Sequence, residues 1–381
     1  MKALVMGCGN IGSVAAEDLA VSMSSLEVVV ADKDEAKAKS VAERIGRSNV
    51  SWVQVNAMNH AELVDSLEGF DVILGFLPGD LGFRLTEACI DAGKDLVDVS
   101  YMEENPLTLN DEAAKADVTV VPDCGLAPGI SNFLVGHAVS KLDKVGCIGI
   151  MVGGLPEKPV PPLGYTITWS PESLIDEYTR KARIVRKGKV VEVEALTGVE
   201  EVVFPGVGKL EAFYTDGLRT LLETMKNVGD MWEKTLRYQG HVEKIGLLRD
   251  LGFFDERQVD VDGAKLAPRK LTARLFEQRL RKPGIRDVVA LRVEVSGFRE
   301  GKRTSYAYHL LDLYDDKRNT TAMARTTGSC ASVVAQLIAR KVVKVKGVVP
   351  PEVLGRDERI YREFRRELEK RNIAINEKIS G

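Results

Sequence analysis

The stretch that most constrains this chain lies at its start. Lys2-Ala3-Leu4-Val5-Met6 is a short apolar run, Gly7-Cys8-Gly9-Asn10-Ile11-Gly12 spaces three glycines, and Ser13 to Ala20 has the composition of a helix. A strand that feeds a helix through such a turn is one unit of a parallel, doubly wound sheet. Gly7 permits the sharp turn, Gly9 lets the backbone approach a pyrophosphate, and Gly12 lets the helix pack on the strand. The pyrophosphate then meets N–H groups at the helix start, around Asn10 and Ile11. A second apolar run, Glu27 to Ala31, ends at Asp32, 20 residues beyond Gly12. A carboxylate there accepts hydrogen bonds from ribose hydroxyls and repels a 2′-phosphate, so the pattern predicts NAD in preference to NADP. Lys33 follows directly and sets a cation beside that carboxylate.

A chain of 381 residues exceeds one ordinary core, so two domains are expected. The formal net charge of −3 gives no general attraction to nucleic acid or to an anionic membrane. No apolar run is long enough to span a bilayer, and the first strand begins at once, so no membrane segment or leader is expected. The five cysteines (Cys8, Cys89, Cys124, Cys147 and Cys330) are scattered, without the spacing of a metal site or a disulfide framework. Free thiols fit a reducing cytoplasm.

Beyond Asp32 the pattern alternates. Strands are expected at 50–55, 71–78, 95–100 and 118–122, and helices at 34–45, 61–67, 85–92 and 111–116. Asn56-Ala57, at the end of the third strand, falls near an adenine edge. Gly75-Phe76-Leu77-Pro78, at the end of the fourth, faces the cofactor. This alternation predicts an α/β fold, a Rossmann-type doubly wound parallel sheet. After Asp123 the pattern changes. Irregular strands are expected at 144–152, 165–169, 182–187, 190–195, 288–296 and 304–314, and helices at 133–141, 331–340 and 360–371, which predicts a mixed α+β domain. The last elements are expected to return to the first domain. That places residues 1–123 and about 322–381 in the nucleotide-binding domain, and 124–321 in the other.

Several strings taken together carry a resemblance. They are Pro122-Asp123-Cys124-Gly125-Leu126-Ala127-Pro128-Gly129, Pro161-Pro162-Leu163-Gly164-Tyr165, Leu210-Glu211-Ala212-Phe213-Tyr214-Thr215-Asp216-Gly217, Arg237-Tyr238-Gln239-Gly240-His241-Val242-Glu243-Lys244 and Met323-Ala324-Arg325-Thr326-Thr327-Gly328. With the glycine turn, they resemble the saccharopine dehydrogenase-like family in motif and order, nearest its lysine 6-dehydrogenase branch. The resemblance implies a Rossmann domain, an inserted catalytic and dimerisation domain, and NAD-linked oxidation of a carbon bearing an amine. The chain departs from that branch at Tyr214-Thr215-Asp216-Gly217, where the branch often has His-Thr-Ser-Gly; this bears on the substrate.

Such chemistry needs a group to take a proton from an ammonium of ordinary pKa about 10.4, and groups to hold an amino acid's charges. His241 is the candidate proton acceptor, or the group that orients a hydrolytic water; the alternative is a structural hydrogen bond. Asp98 and Asp123 follow strands of the first sheet, where ligands gather. Glu211, Tyr214 and Thr215 are candidates to meet the substrate's ammonium and carboxylate, and Arg237 and Glu243 cluster with His241. Arg325 pairs with a substrate carboxylate or serves as a structural cap or tie. Three functions compete. The first is NAD-dependent oxidative deamination of the lysine ε-amine, giving a semialdehyde that cyclises. The second is action on a secondary amine such as saccharopine or carboxynorspermidine. The third is an NAD-binding sensor without turnover. The expected partners are a small amino-acid substrate and further copies of the chain in a homodimer or larger homo-oligomer.

Overall fold

In the computed structural model of the chain, residues 1–282 and 284–381 are described, and they divide into two compact units. The first holds Met1–Lys141, Arg219–Thr224 and Ala324–Ala374; the second holds Leu142–Leu218, Met225–Met323 and Ile375–Gly381. The break expected after Asp123 falls after Lys141. The reason is the helix Ile130–Ser140, buried along most of its length and packed on the helix Pro351–Gly355 of the same unit. The last strand, Ile375–Ser380, joins the second unit by pairing with Lys302–Leu313.

The first unit is a parallel sheet with flanking helices. Its strands are β1 (Lys2–Met6), β2 (Glu27–Asp32), β3 (Val50–Gln54), β4 (Val72–Gly75), β5 (Asp95–Asp98) and β6 (Thr119–Val121), with the short strand Gly347–Val348 beyond β6. From one edge the order is Gly347–Val348, β6, β5, β4, β1, β2, β3. The chain therefore winds one way from β1 to β3 and the other way from β4 to β6. The reversal lies between β1 and β4, where a doubly wound sheet binds ligands beyond its strand ends. Leu4 pairs in register with Val29 on one side and Ile73 on the other, and these apolar residues, with Leu96 and Val120, are buried in one core. A parallel sheet covered on both faces requires such continuous apolar strands.

The second unit is the expected α+β body. Its main sheet runs Glu200–Phe204, Gly208–Tyr214, Asp230–Arg237, Lys144–Pro156, Asp287–Arg299, Lys302–Leu313, Ile375–Ser380. The hairpin of Ala182–Arg186 and Lys189–Val193 attaches at Asp230–Arg237. Tyr165 to Trp169, expected as a strand, forms none. Leu163, Tyr165 and Ile167 are buried beside Tyr178, Phe213 and Ile245. Their backbone bonds go to scattered partners, Tyr165 N to Val160 O at 3.2 Å and Ile167 N to Leu280 O at 3.2 Å. The alternation of apolar residues there records burial, not a ladder.

The glycine turn sets the entry to the sheet. A Cβ at Gly12 would lie 2.0 Å from the Gly7 carbonyl oxygen, whereas a Cβ at Gly9 would meet nothing within 4 Å. Gly12→Ala is therefore expected to cost about 1–3 kcal/mol in denaturant unfolding, despite alanine's better helix propensity. Gly9→Ala is expected to change stability by less than about 0.5 kcal/mol.

Candidate functional site

The first unit gathers two sets of residues at the strand ends. Gly7 takes φ +104 and donates its N–H to Ala31 O at 2.8 Å, while a Cβ there would sit 2.5 Å from Phe76 O. The end of β1 thus presses on Gly75-Phe76, the end of β4. The helix Asn10–Ser22 starts from Gly9 in an extended conformation, with no side-chain cap and no acidic residue in its first turn. Its leading N–H groups and the open space above Gly9 fit an anionic pyrophosphate. Asp32 lies against this turn. Its Oδ2 accepts from Cys8 N at 2.9 Å, its Oδ1 accepts from Asp34 N at 3.1 Å, and Lys37 Nζ is 3.5 Å away. Lys33 is exposed, and its carbonyl accepts from Gln54. Asn56 is exposed with its Oδ1 taken by Met58 N, and Ala57 beside it is buried. Leu77 is half-buried and Pro78 is exposed at the start of the next helix.

The second set follows β5 and β6. Asp98 is fully buried, and its carboxyl accepts from Ser100 N at 2.8 Å and Ser100 Oγ at 3.0 Å. Burial dominates and pushes its pKa up to about 7, with Asp123 raising it further and Ser100 and Arg219 opposing. Gly75 has no side chain because Asp98 occupies the space: a Cβ there would lie 2.0 Å from Asp98 Oδ2. Asp123, in left-handed backbone at φ +53, sets its carboxylate 3.3 Å from Arg219 Nε, and both side chains are almost fully buried. Arg219 also donates to Met102 O, and its guanidinium lies 5.2 Å from the centre of the Tyr101 ring.

The second unit contains a buried polar string. His241 begins the helix His241–Asp250, is 1% exposed and has both ring nitrogens engaged. A carbonyl can only accept, so Nδ1–H donates to Leu163 O at 2.9 Å, and Nε2 accepts from the Tyr178 hydroxyl at 2.8 Å. Burial, reinforced by Arg237, lowers its pKa to about 3, so the ring is neutral at ordinary pH. Expected as a proton acceptor, His241 has neither an open nitrogen nor the basicity for it. Arg237 donates to Glu177 at 2.8 Å and to Leu236 O at 2.9 Å, over the Tyr165 ring at 4.5 Å. Burial raises the Glu177 pKa against the opposing effect of Arg237. Thr215 meets Thr235 through their hydroxyls at 3.1 Å.

The other expected residues lie elsewhere. Glu211 spends both carboxylate oxygens on backbone, accepting from Gly240 N at 3.1 Å and Val242 N at 2.6 Å at the start of the His241–Asp250 helix. That carboxylate caps the helix. Tyr214 lies under Lys234, with Nζ 4.6 Å from the ring centre. Glu243 is exposed in the first turn of its helix. Arg325 is half-buried on the helix Ala322–Ala339. Sequence reading missed Arg219, Glu177, Tyr178 and Ser100. Only for Ser100 was there a signal, an Asp-x-Ser at a strand end that forms an Asx-type turn. Among the described residues, no three His, Cys, Asp or Glu are placed to hold a metal ion, and no helix is long and apolar enough to cross a membrane.

Residues 3–121 match the saccharopine dehydrogenase NADP binding domain, and residues 125–373 match the saccharopine dehydrogenase C-terminal domain. The chain belongs to the saccharopine dehydrogenase family. It is 25% identical to the alpha-aminoadipic semialdehyde synthase of Arabidopsis thaliana over 86% of its own length and 39% of that protein. It is 22% identical to the carboxyaminopropylagmatine dehydrogenase of Synechocystis over 93% of both. It is 27% identical to the NADP(+), L-glutamate-forming saccharopine dehydrogenase of Saccharomyces cerevisiae over 66% of this chain and 58% of that one. It thus spans less than two thirds of the Arabidopsis and yeast relatives. A solved structure of apo saccharopine dehydrogenase (L-Glu forming) from Saccharomyces cerevisiae aligns over 100% of both chains with TM-score 0.80 at 20% identity, so the fold is shared. The family's nucleotide-binding domain is a pyridine-nucleotide domain, and the glycine turn and Asp32 lie within it.

Two outcomes follow from this geometry. Gly9→Val is expected to abolish NADH binding in a fluorescence titration while leaving the unfolding midpoint of the nucleotide-free protein unchanged. A His241 pKa depressed from 6.5 means a stabilising contribution that is full above about pH 6.5 and is lost as pH falls towards about 3. His241→Gln is expected to flatten the acid limb of stability between those values, by up to about 1.4 kcal/mol per pH unit, in denaturant titrations at stepped pH.

Proposed function

We propose that the chain is an NAD-dependent dehydrogenase that removes the ε-amine of L-lysine oxidatively. The observation that carries this reading is an acid surplus at the ends of β5 and β6. Asp98 and Asp123 interact there with one guanidinium, that of Arg219. In the second unit Arg237 is likewise matched by Glu177. These two guanidinium groups already have carboxylate partners, so a substrate rich in carboxylates would find little uncompensated positive charge beside either. A cationic amine with one carboxylate suits the balance better.

In this reading Asp123 holds the substrate's ammonium beside Arg219, and Asp98 takes the proton from R–CH2–NH3+. A carboxyl near pKa 7 is well matched to that task at neutral pH. A bound nicotinamide nucleotide supplies the hydride acceptor. As hydride leaves the carbon with its bonding pair, the nitrogen lone pair closes the C=N bond. Water then adds to the protonated imine, and ammonium departs to leave the semialdehyde. The preference for NAD rests on Asp32, whose carboxylate would face a 2′-phosphate with like charge. His241 serves in this scheme to hold Tyr178 and the Leu163 loop.

A second reading has its own support. The Synechocystis relative spans 93% of both chains and is named for a carboxyaminopropylagmatine substrate, which points to a secondary amine. An NADH and NADPH absorbance screen against L-lysine, saccharopine, carboxyaminopropylagmatine and diamines separates the readings. Lysine with NAD is the expected pair. Turnover of saccharopine or carboxyaminopropylagmatine without lysine would replace the first reading by the second, and nucleotide binding with no turnover would leave a sensor.

With lysine, kcat is expected to rise through about pH 7 as Asp98 ionises. Asp98→Asn is expected to lose that rise and to lower kcat by roughly a hundred- to ten-thousand-fold while NAD still binds. Asp32→Ala is expected to narrow the ratio of NAD to NADP turnover, and a higher initial ratio for NADP would refute the NAD assignment.

A further inference from the structure

We propose that Glu352 is a positioning residue, which latches together the turn after Asp123 and the turn that begins with Arg219 and so fixes the geometry of that ion pair. The inference builds on the reading of Asp123 and Arg219 as the amine-binding pair. Glu352 lies on the short helix Pro351–Gly355 and is fully buried. Its Oε2 accepts from Asn132 Nδ2 at 2.9 Å, and its Oε1 is 2.8 Å from Thr224 Oγ1. These two partners belong to the two halves of the site.

Asn132 lies at the start of the helix that follows the turn after Asp123. Its Oδ1 is 3.3 Å from Gly129 N and 2.9 Å from Ser131 Oγ. Gly125 N donates to Pro128 O, and Ile130 N to Gly125 O, so the turn from Gly125 to Asn132 is one bonded piece, which begins two residues after Asp123. Thr224 ends the segment Arg219–Thr224. Leu222 N donates to Arg219 O at 3.2 Å, Thr224 N to Thr220 O at 3.0 Å, and Arg356 holds the Thr224 carbonyl at 3.0 Å. A latch at Thr224 therefore sets where Arg219 begins.

Two features require such a latch. Asp123 and Arg219 both adopt left-handed backbone, at φ +53 and +51. Residues other than glycine keep that conformation only where their surroundings impose it. The carrier of Glu352 is also fixed. A Cβ at Gly136 would lie 2.1 Å from Glu352 O, and one at Gly355 would lie 2.3 Å from Phe133 O, so the two helices touch backbone to backbone.

The bonding also fits a neutral carboxylic acid. Thr224 Oγ1 lies 2.8 Å from Glu352 Oε1 and 3.1 Å from Thr220 O, and its single hydroxyl proton serves one of the two at a time. When the hydroxyl donates to Glu352 the carboxyl accepts from both Thr224 and Asn132; when it donates to Thr220 O, a protonated Glu352 donates to Thr224 Oγ1 and still accepts from Asn132. Burial raises the Glu352 carboxyl above its ordinary range. Glutamine reproduces this pattern, whereas leucine abolishes it.

The test uses the full chain as Glu352→Gln, Glu352→Leu and Thr224→Val, the last removing one arm of the latch without touching the helix. Amide hydrogen exchange is measured over residues 125–132 and 219–224, with the glycine turn as an internal reference. Steady-state kinetics use NAD with L-lysine, or with whichever amine the screen finds. Glu352→Leu and Thr224→Val are expected to speed exchange in 219–224 while leaving the glycine turn unchanged. They are expected to lower kcat/KM for the amine by roughly a hundredfold, the scale of a 1 Å misplacement, at constant KM for NAD. Glu352→Gln is expected to behave as the unmodified protein. Local exchange unchanged in Thr224→Val, or Glu352→Gln as impaired as Glu352→Leu, would overturn the proposal. If the unmodified protein oxidises no amine, the functional reading fails, and the exchange comparison alone still decides the latch.

Discussion

The close approach of backbone to backbone at the glycine turn is the constraint on which the first unit depends. Gly7 leans on Phe76 and Gly12 on Gly7, with room at neither place for a side chain. This contact brings the start of the first helix, the end of β1 and the end of β4 to one point. It also makes the turn rigid before any ligand arrives. Pre-formed N–H groups at that point cost little to organise when an anion binds.

The buried charges obey a second constraint. An ionised group taken out of water must find a partner. Arg219 has Asp123, Arg237 has Glu177, and Arg371 has Asp18 and Glu367. Asp98 follows another course, with Ser100 as its hydrogen-bond donor and a pKa pushed to about 7. It is thus set apart from the paired acids as a group that can exchange a proton near neutrality.

The legible parts of the sequence were those where function imposes a local pattern. The glycine spacing, the apolar runs of the parallel strands and the acid at the end of β2 each report a constraint within about thirty residues, and the structure has them in the expected order. Arg219 meets Asp123 across 96 positions, and Tyr178 meets His241 across 63. No spacing announces such pairs, because the fold alone brings them together. The same distance effect hid the partners of Glu211 and His241. A glutamate and a histidine in two such strings look like chemistry, but here the histidine's partners are a carbonyl and a phenol and the glutamate's are two amides. The string from Tyr165 to Trp169 misled for a related reason, since its alternating burial reflects packing beside Phe213 and Ile245, not pairing with a neighbouring strand.

Asp32 has a consequence for how readily such a protein changes over evolution. Its carboxylate receives the amide of Cys8, inside the glycine turn, and the amide of Asp34, at the cap of the next helix. The residue proposed to read the ribose is therefore also a fastener of the loop proposed to hold the phosphates. On that reading, a single replacement at this position alters recognition and loosens the scaffold together. A lineage moving between nucleotides would first have to supply those two amides with another acceptor. Its path would run through several linked substitutions around residues 8, 32 and 34, and the starting preference would be conserved by the architecture itself.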